Sequence, residues 1–331
     1  MKYFHSLFVM FTLLAALTAC GPGKDRVRIK GKLANITTAE FYVFSEDGSF
    51  DGVDTIRIED GQFTYERKLT EPAILTLLYP NFTQTYLVAE PGKTIKMKGD
   101  AAKIGDAEIT GTDENKMLTE FREEIAGKPE NTHKLAAEQF IRTHSKSLAA
   151  VAVFRRYFAL KQTPDTKMAL NLLDVLKKAQ PRTQAVVYLD NFYRPIFENG
   201  VGEMLPDFKA VTLDGKTVTR ANYEGKQLAI LCVATWQAES MAFLRQAKKK
   251  LKAAKSEWDC LIVSMDVDRE VLRNSIKRDS LKYPVVCDRK AFASPLVETL
   301  GLHYVPSCML INKQGKIIQR DVMKADEMKL N

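Results

Sequence analysis

Four cysteines in the second half of the chain are the side chains best suited to covalent chemistry. No two of Cys232, Cys260, Cys287 and Cys308 are separated by two residues, which is the spacing of the common redox pair. Three of them, Cys232, Cys260 and Cys308, lie in apolar runs that predict buried strands. Because a buried thiol behaves as a small hydrophobic group, the sequence favours structural cysteines.

A fifth cysteine, Cys20, predicts attachment to a membrane. The apolar run over residues 6–17 is shorter than the ~20 residues that a spanning helix needs, and it suits a signal peptide. The run closes on Leu-Thr-Ala followed by Cys20, which resembles a bacterial lipobox. We therefore expect residues 1–19 to be a lipoprotein signal peptide and residues 20–26 to be a tether from a diacylated Cys20. The alternative is an ordinary secretory signal with an incidental cysteine.

The residues after Cys20 indicate which membrane would hold the lipid anchor. Gly21 follows the cysteine, where an aspartate is associated with retention in the inner membrane, so the sequence predicts the outer membrane. No acidic run of the kind linked to surface export follows, which favours an orientation toward the periplasm. We therefore expect a protein of the cell envelope.

Composition and charge limit the partners of the chain. The 331 residues carry a formal net charge of +8 with 45% hydrophobic residues, which is typical of a globular protein large enough for two domains. The densest basic cluster, residues 245–255, falls on a predicted helix opposite an apolar stripe, so we expect a solvated face, with binding to anionic lipid head groups as the alternative. This cluster lacks interleaved aromatic residues, so no nucleic-acid partner is expected. His133 and His144 have no metal-ligand spacing, and we expect neither a metal nor a cofactor.

Hydrophobic periodicity divides the rest of the chain into three regions. Residues 27–112 alternate with a period of two, which predicts an antiparallel, β-sandwich-like domain. Residues 113–199 predict five helices separated by prolines, a helical bridge. Residues 200–331 alternate strands with helices, which predicts an α/β domain. In this last region Asp266 and Asp268 follow a strand and are expected to cap the next helix.

Short motifs occur in a fixed order through residues 200–324. They are Leu205-Pro206-Asp207-Phe208, Leu213-Asp214-Gly215-Lys216, Tyr223-Glu224-Gly225-Lys226, Ala234-Thr235-Trp236, Tyr304-Val305-Pro306-Ser307 and Leu310-Ile311-Asn312. In order and spacing this part of the chain resembles the TlpA/ResA branch of the thioredoxin superfamily, also labelled alkyl hydroperoxide reductase/thiol-specific antioxidant. The resemblance implies a thioredoxin-like domain with a central mixed sheet flanked by helices. The β region resembles a domain of unknown function that often precedes such domains in exported lipoproteins.

The resemblance also implies where the chemistry should lie. In this family a tryptophan is followed at once by Cys-x-x-Cys at a helix N-terminus, where the helix dipole lowers the pKa of the first thiol so that it attacks as a thiolate. Here Trp236 is followed by Gln237 at the position of the first thiol and by Ser240 at that of the second. An amide cannot attack a disulfide, and a hydroxyl needs a base to do so. We therefore expect no catalytic residue here and a redox-inactive domain, a pseudoenzyme.

A proline near the end of the domain suggests what such a domain could still do. In the family this proline is cis, and the backbone of the preceding residue pairs with an extended polypeptide. The resemblance gives that proline as Pro306 and the preceding residue as Val305, so Trp236, Val305 and Pro306 are expected to form a peptide-binding groove. The alternative is that Pro306 only shapes a turn of the core.

Three functions therefore stay open. The chain is predicted to be a lipid-anchored binding or scaffolding protein of the envelope, whose partner is an extended polypeptide or an envelope protein. One alternative is a thiol-disulfide oxidoreductase that uses Cys232 and Cys308 as atypical thiols, because the resemblance implies that they lie on neighbouring strands where a cross-strand disulfide could form. The other alternative is a purely structural partner within an envelope assembly.

Overall fold

The computed structural model describes residues 21–49, 51–160, 165–254 and 257–330. The predicted signal peptide and Cys20 lie outside these residues. The chain divides into two compact units, Met1–Pro164 with Asn171–Leu189 and Asp165–Leu170 with Asp190–Asn331. Within the described ranges, we find no helix that is both long and apolar enough to cross a membrane.

The first unit begins with eight strands. They are β1 (Arg26–Ala34), β2 (Ala39–Phe44), β3 (Val53–Ile58), β4 (Gln62–Lys68), β5 (Ala73–Leu78), β6 (Gln84–Ala89), β7 (Thr94–Asp100) and β8 (Glu108–Thr110). They form two four-stranded sheets, in the orders β4-β1-β7-β8 and β3-β2-β5-β6. Alternate residues of β1, such as Val27, Ile29 and Leu33, are buried in a core shared by both sheets, as the period of two predicts.

One pair of strands departs from the predicted antiparallel arrangement. β1 pairs with β4 antiparallel but with β7 parallel, with Arg28 opposite Thr94. A parallel pair requires a long connection between its strands, and here the chain passes through five other strands between β1 and β7. The prediction of a wholly antiparallel region was therefore wrong at this pair.

Five helices follow, as the change in hydrophobic period predicts. They are α1 (Asp113–Ile125), α2 (Glu130–Thr143), α3 (Leu148–Phe154), α4 (Thr166–Ala179) and α5 (Gln184–Glu198). All residues of α3 are buried, and a π-helical turn over Arg155–Ala159 continues it. The side chain of Asn115 in α1 accepts from the Val88 amide and donates to the Val88 carbonyl, which fixes this helix on β6.

The second unit is built on a five-stranded mixed sheet. The strands of this sheet are β11 (Gln227–Val233), β12 (Trp258–Ser264), β13 (Val285–Val286), β14 (Ser307–Ile311) and β15 (Ile317–Gln319), and a separate hairpin of β9 (Lys209–Val211) and β10 (Thr217–Thr219) precedes them in the chain. The sheet order is β13-β12-β11-β14-β15. β11, β12 and β13 run parallel, whereas β14 runs antiparallel to β11 and to β15. The mixed sheet predicted for this region is therefore present.

Helices cover both faces of this sheet. They are α6 (Ala238–Ala253), α7 (Arg269–Arg278) and α8 (Pro295–Leu300). Leu244 of α6 and Leu272 of α7 belong to the core on one face, and Leu296 of α8 belongs to the core on the other. Because β11 and β12 contribute alternate residues to the two cores, they read as continuous apolar runs in the sequence.

The basic face of α6 is partly engaged in holding the domain together. Lys248 donates to the carbonyls of Asp279 and Ser280, at 2.7 and 2.9 Å, and Arg245 pairs with the Asp279 carboxylate at 3.2 Å. Lys250 donates to the carbonyl of Asp326 at 2.6 Å. These contacts give part of the basic cluster a structural role.

Candidate functional site

Gln237 and Ser240, the residues that the sequence predicts at the positions of the two redox thiols, lie where the loop after β11 leads into α6. Gln237 is the N-cap residue of α6, with φ −113° and ψ 117°. The hydroxyl of Ser240, which is fully buried, donates a 2.8 Å hydrogen bond to the side-chain oxygen of Gln237. The helix N-terminus thus presents a half-buried amide with a buried hydroxyl behind it.

Neither of these two side chains can perform thiol exchange. The Gln237 amide is not a nucleophile, and among the described residues the Ser240 hydroxyl bonds to the oxygen of that amide, which is not a base. Glu239 lies in the first turn of α6, where its negative charge interacts favourably with the helix dipole. Neither of the two residues therefore places a thiol at the N-terminus of α6.

A buried carboxylate holds this loop from the neighbouring strand. Asp266, which is 3% exposed, accepts hydrogen bonds from the Thr235 amide at 3.0 and 3.1 Å and from the Thr235 hydroxyl. The hydroxyl of Ser264 donates to the same carboxylate at 2.6 Å. Since β11 and β12 run parallel, their carboxyl ends meet at one edge of the sheet, which brings Asp266 against the loop that leads to Trp236.

The predicted capping role divides between the two aspartates. Asp268 is the N-cap of α7 and accepts from the amides of Glu270 and Val271, at 2.8 and 3.2 Å. Asp266 instead bonds to Thr235 and Ser264, so its assignment as a cap was wrong. Sequence alone did not reveal this role, because it depends on the adjacency of two strand ends.

The segment before β14 lies at this same edge. The Val305–Pro306 peptide bond is cis, as the resemblance implies. Ser307 pairs with Cys232 near the end of β11, so the start of the antiparallel strand β14 meets the end of β11. The Ser307 hydroxyl donates to the Tyr304 carbonyl at 2.8 Å, which closes the turn around Pro306.

Exposed apolar side chains follow the strand ends at this edge. Trp236 is 62% exposed, Val267 is 60% exposed and Tyr304 is 39% exposed, while Val305 is half-buried against the core. We refer to Trp236, Val267, Tyr304 and Val305 as the tryptophan edge. An exposed group of large apolar residues is the kind of surface that binds a partner.

The two cysteines proposed as an atypical pair face away from each other. Cys308 lies opposite Leu231 in the β11–β14 register, and Cys232 lies opposite Ser307. Because opposed residues share a face and successive residues alternate, Cys308 belongs to the core that contacts α6, whereas Cys232 belongs to the core that contacts α8. The strands are neighbours, as expected, but a disulfide between these thiols is ruled out in this fold.

Burial also keeps the described thiols protonated. Cys232, Cys260, Cys287 and Cys308 are all free and buried. Burial raises the pKa of Cys232 to about 12, and it raises the pKa of Cys260 and Cys308 as well. The Cys287 pKa is also raised by burial, and this thiol donates to the Asp266 carbonyl at 3.0 Å. Thiols in this state are poor nucleophiles at neutral pH.

His303 lies just before the cis-proline turn. Its ring packs on Phe192, with ring centroids 4.2 Å apart. Burial, together with the nearby Arg320 guanidinium, lowers the pKa of His303 to about 4. The imidazole is therefore neutral at pH 7 and belongs to the packing of this segment.

Comparisons with known proteins follow the same division of the chain. Residues 201–320 match the model of the AhpC/TSA family, and residues 27–118 match that of a domain of unknown function, DUF4369. The C-terminal domain is an AhpC/TSA-family domain with the thioredoxin-like fold. This confirms the fold class and both resemblances that the sequence motifs predicted.

Relatives of the AhpC/TSA domain include proteins named as thiol-disulfide oxidoreductases and as a thioredoxin. The thiol-disulfide oxidoreductase ResA of Bacillus thuringiensis is 27% identical over 124 residues, which are 36% of this chain and 68% of ResA. A thiol-disulfide oxidoreductase structure from Bacteroides fragilis is 27% identical, covers 36% of this chain and 90% of its own, and has a TM-score of 0.33. The exposed lipoprotein thioredoxin Etrx1 of Streptococcus pneumoniae is 26% identical over 37% of this chain and 93% of its own, with a TM-score of 0.31.

Proposed function

We propose that this chain is a lipid-anchored protein of the cell envelope whose AhpC/TSA domain binds extended polypeptide without catalysing thiol-disulfide exchange. The hydrogen-bonded pair of Gln237 and Ser240 is the observation that carries the proposal. These residues occupy the start of α6, where this fold holds its reacting thiols, and neither can replace a thiolate. The scaffold around them is intact, so the loss concerns chemistry and leaves a surface available for binding.

The tryptophan edge supports polypeptide as the ligand. Its aromatic and aliphatic side chains offer apolar contacts, and the backbone of Val305 before the cis-proline offers hydrogen bonds to an extended segment. The Asp266 network fixes the loop that presents Trp236. A surface held in place before binding loses less entropy when it orders a ligand.

Membrane attachment is the second part of the proposal. The apolar run over residues 6–17 and the lipobox-like residues before Cys20 support a diacylated N-terminus, in the outer membrane and facing the periplasm. Cells fed a radiolabelled fatty acid should label the wild-type protein in the outer-membrane fraction and leave Cys20→Ser unlabelled. Equal labelling of both proteins would contradict the lipid anchor.

One second candidate function has its own support. The relatives of the domain are named thiol-disulfide oxidoreductases, so this chain could be an oxidoreductase that uses atypical cysteines. The raised pKa values of Cys232 and Cys308 and their location on opposite faces of the sheet oppose this function. Polypeptide binding is therefore the function that the site favours.

The binding function can be tested with the intrinsic fluorescence of Trp236. Trp258 is 6% exposed and its indole N–H has no hydrogen-bond partner among the described residues, so Trp258→Phe should fold and leave Trp236 as the sole indole of the chain. We expect reduced, carboxymethylated pancreatic ribonuclease A, an unfolded polypeptide that has neither thiols nor tryptophan, to shift the Trp236 emission to shorter wavelength. Tyr304→Ala should weaken this binding several-fold.

The control for this experiment lies on another part of the chain. Leu135 is 66% exposed on α2, and Leu135→Ala removes a comparable apolar side chain outside the tryptophan edge. It should leave the titration unchanged. Absence of any shift, or equal weakening by Tyr304→Ala and Leu135→Ala, would contradict polypeptide binding at this edge.

A further inference from the structure

A second surface of the C-terminal unit has the features of a ligand site. A cleft of about 600 Å³ is lined by the β9–β10 turn, the second half of α7 and the segment that leads into β13. β13 runs parallel to β12 and β11, so the residues before β13 lie at the edge of the sheet where these strands begin. Trp236 follows the end of β11, at the opposite edge. The cleft is therefore separate from the tryptophan edge.

Positive charge dominates the lining of this cleft. It contains four cationic side chains, Lys216, Arg273, Lys277 and Lys282, and a single carboxylate, that of Asp214. Asp214 pairs with Lys216 at 3.0 Å, and the Lys216 ammonium together with a hydrogen bond from Thr212 lowers the Asp214 pKa. The Asp214 carboxylate is therefore paired within the β9–β10 turn and does not neutralise the other three cations.

The remaining cations have no acidic partner on the described part of the chain. Arg273 donates from Nη2 to the Leu213 carbonyl at 3.2 Å, and neither Lys277 nor Lys282 forms an ion pair with a described residue. Arg273 and Lys277 are four residues apart on α7, so they lie on one face and repel each other. An anion in the cleft would relieve this repulsion.

The floor of the cleft is apolar. Val218 and Val285 are buried in it, and the side chains of Ile276 and Tyr283 are half-buried at its wall. The volume lies within the range of small-molecule sites, which combine an apolar lining with a few charged groups. This combination fits an organic molecule that carries an anionic group better than it fits a bare inorganic ion.

We propose that this cleft binds an organic phosphate, with the phosphate group at Arg273, Lys277 and Lys282 and the carbon portion against Ile276 and Tyr283. A guanidinium and two ammonium groups match a phosphate because together they supply many N–H donors and offset its charge of up to two. Two sources carry this chemistry, a soluble phosphomonoester and a phospholipid head group. Both present anionic non-bridging phosphate oxygens to the three cations, three on a monoester and two on a phosphodiester.

Calorimetric titration of the full chain can test the site and distinguish these two sources. Phenyl phosphate serves as the soluble monoester, and dihexanoyl phosphatidylglycerol, below its micellar concentration, serves as the head group. Inorganic phosphate is the reference for phenyl phosphate, because it lacks the apolar part. Dihexanoyl phosphatidylcholine is the reference for the phosphatidylglycerol, because it has no net charge. We expect phenyl phosphate or the phosphatidylglycerol to bind at least tenfold more tightly than its reference ligand, and the tighter of the two identifies the source.

Two matched double variants assign the binding to the cleft. Lys277→Gln with Lys282→Gln should weaken the tighter ligand at least tenfold. Lys249→Gln with Lys252→Gln removes the same charge from the exposed face of α6, outside the cleft lining, and should change the affinity less than twofold. The proposal is overturned if neither phosphate binds more tightly than its reference ligand, or if both double variants weaken binding equally.

Discussion

The hydroxyl of Ser240 donates a 2.8 Å hydrogen bond to the side-chain oxygen of Gln237 across the first turn of α6. Ser240 is fully buried, so this bond provides its hydroxyl with a protein partner. The resemblance predicts a redox pair at these two positions, and the structure shows a hydrogen bond between an amide and a hydroxyl there.

This contact predicts unequal losses of stability for two single substitutions. Gln237→Ala leaves the buried Ser240 hydroxyl without its acceptor and should lower the free energy of unfolding by about 1–2 kcal/mol. Ser240→Ala removes the donor, and the Gln237 amide is half-buried and can reach water, so the cost should stay below about 1 kcal/mol. Urea-induced unfolding measures both values. A larger loss for Ser240→Ala than for Gln237→Ala would contradict this role of the bond.

The Asp266 carboxylate provides a second prediction with a matched control. Asp266→Asn replaces one acceptor oxygen with an NH2 group that faces the donors of Thr235 and Ser264, and it should destabilise the domain by about 2–3 kcal/mol. The same substitution at Asp268 should cost less than about 0.5 kcal/mol, because asparagine caps helices as well as aspartate does. Thermal unfolding of the two variants measures the difference. Equal losses would show that Asp266 does not hold the loop.

Much of the fold could be predicted from the sequence because its signals are local. The period-two alternation of β1 and the switch to helical periodicity at Asp113 both appear in the structure. The parallel pairing of β1 with β7 was not predicted. It depends on a partner far along the chain, which local patterns do not specify.

At the candidate site, too, local sequence patterns predict the elements but not how distant strands pair. The motif around Trp236 predicted a helix N-terminus at Gln237, and α6 begins at Ala238 with Gln237 as its N-cap. The faces of Cys232 and Cys308 were not predictable, because a shift of one residue in the β11–β14 register would reverse which face each thiol occupies. The register had to be observed before the cross-strand disulfide could be excluded.

The raised pKa of Cys232 predicts how alkaline pH affects stability. Its pKa is about 12 in the folded domain because of burial, compared with 9.0 for the free thiol. Between these values the unfolded chain releases the proton and the folded domain retains it, so raising the pH favours unfolding by ~1.4 kcal/mol per pH unit. Below pH 9 this thiol makes no pH-dependent contribution.

Cys232→Ala isolates this effect from other groups that titrate. From pH 8 to pH 10 the wild-type domain should lose about 1 kcal/mol more unfolding free energy than Cys232→Ala, as measured by urea unfolding at each pH. Parallel losses in the two proteins would mean that this thiol is not protected from ionisation.

The burial of the described thiols also predicts that N-ethylmaleimide reacts with the folded wild-type domain far more slowly than with the urea-unfolded chain at pH 8.

The rate at which the protein catalyses insulin reduction by dithiothreitol tests the central claim most directly. We expect the wild-type chain to remain at the uncatalysed rate, and Gln237→Cys combined with Ser240→Cys to exceed that rate at least tenfold, because the double variant restores a thiol pair at the N-terminus of α6. A wild-type rate equal to that of the double variant, and abolished by Cys232→Ser or Cys308→Ser, would contradict the account.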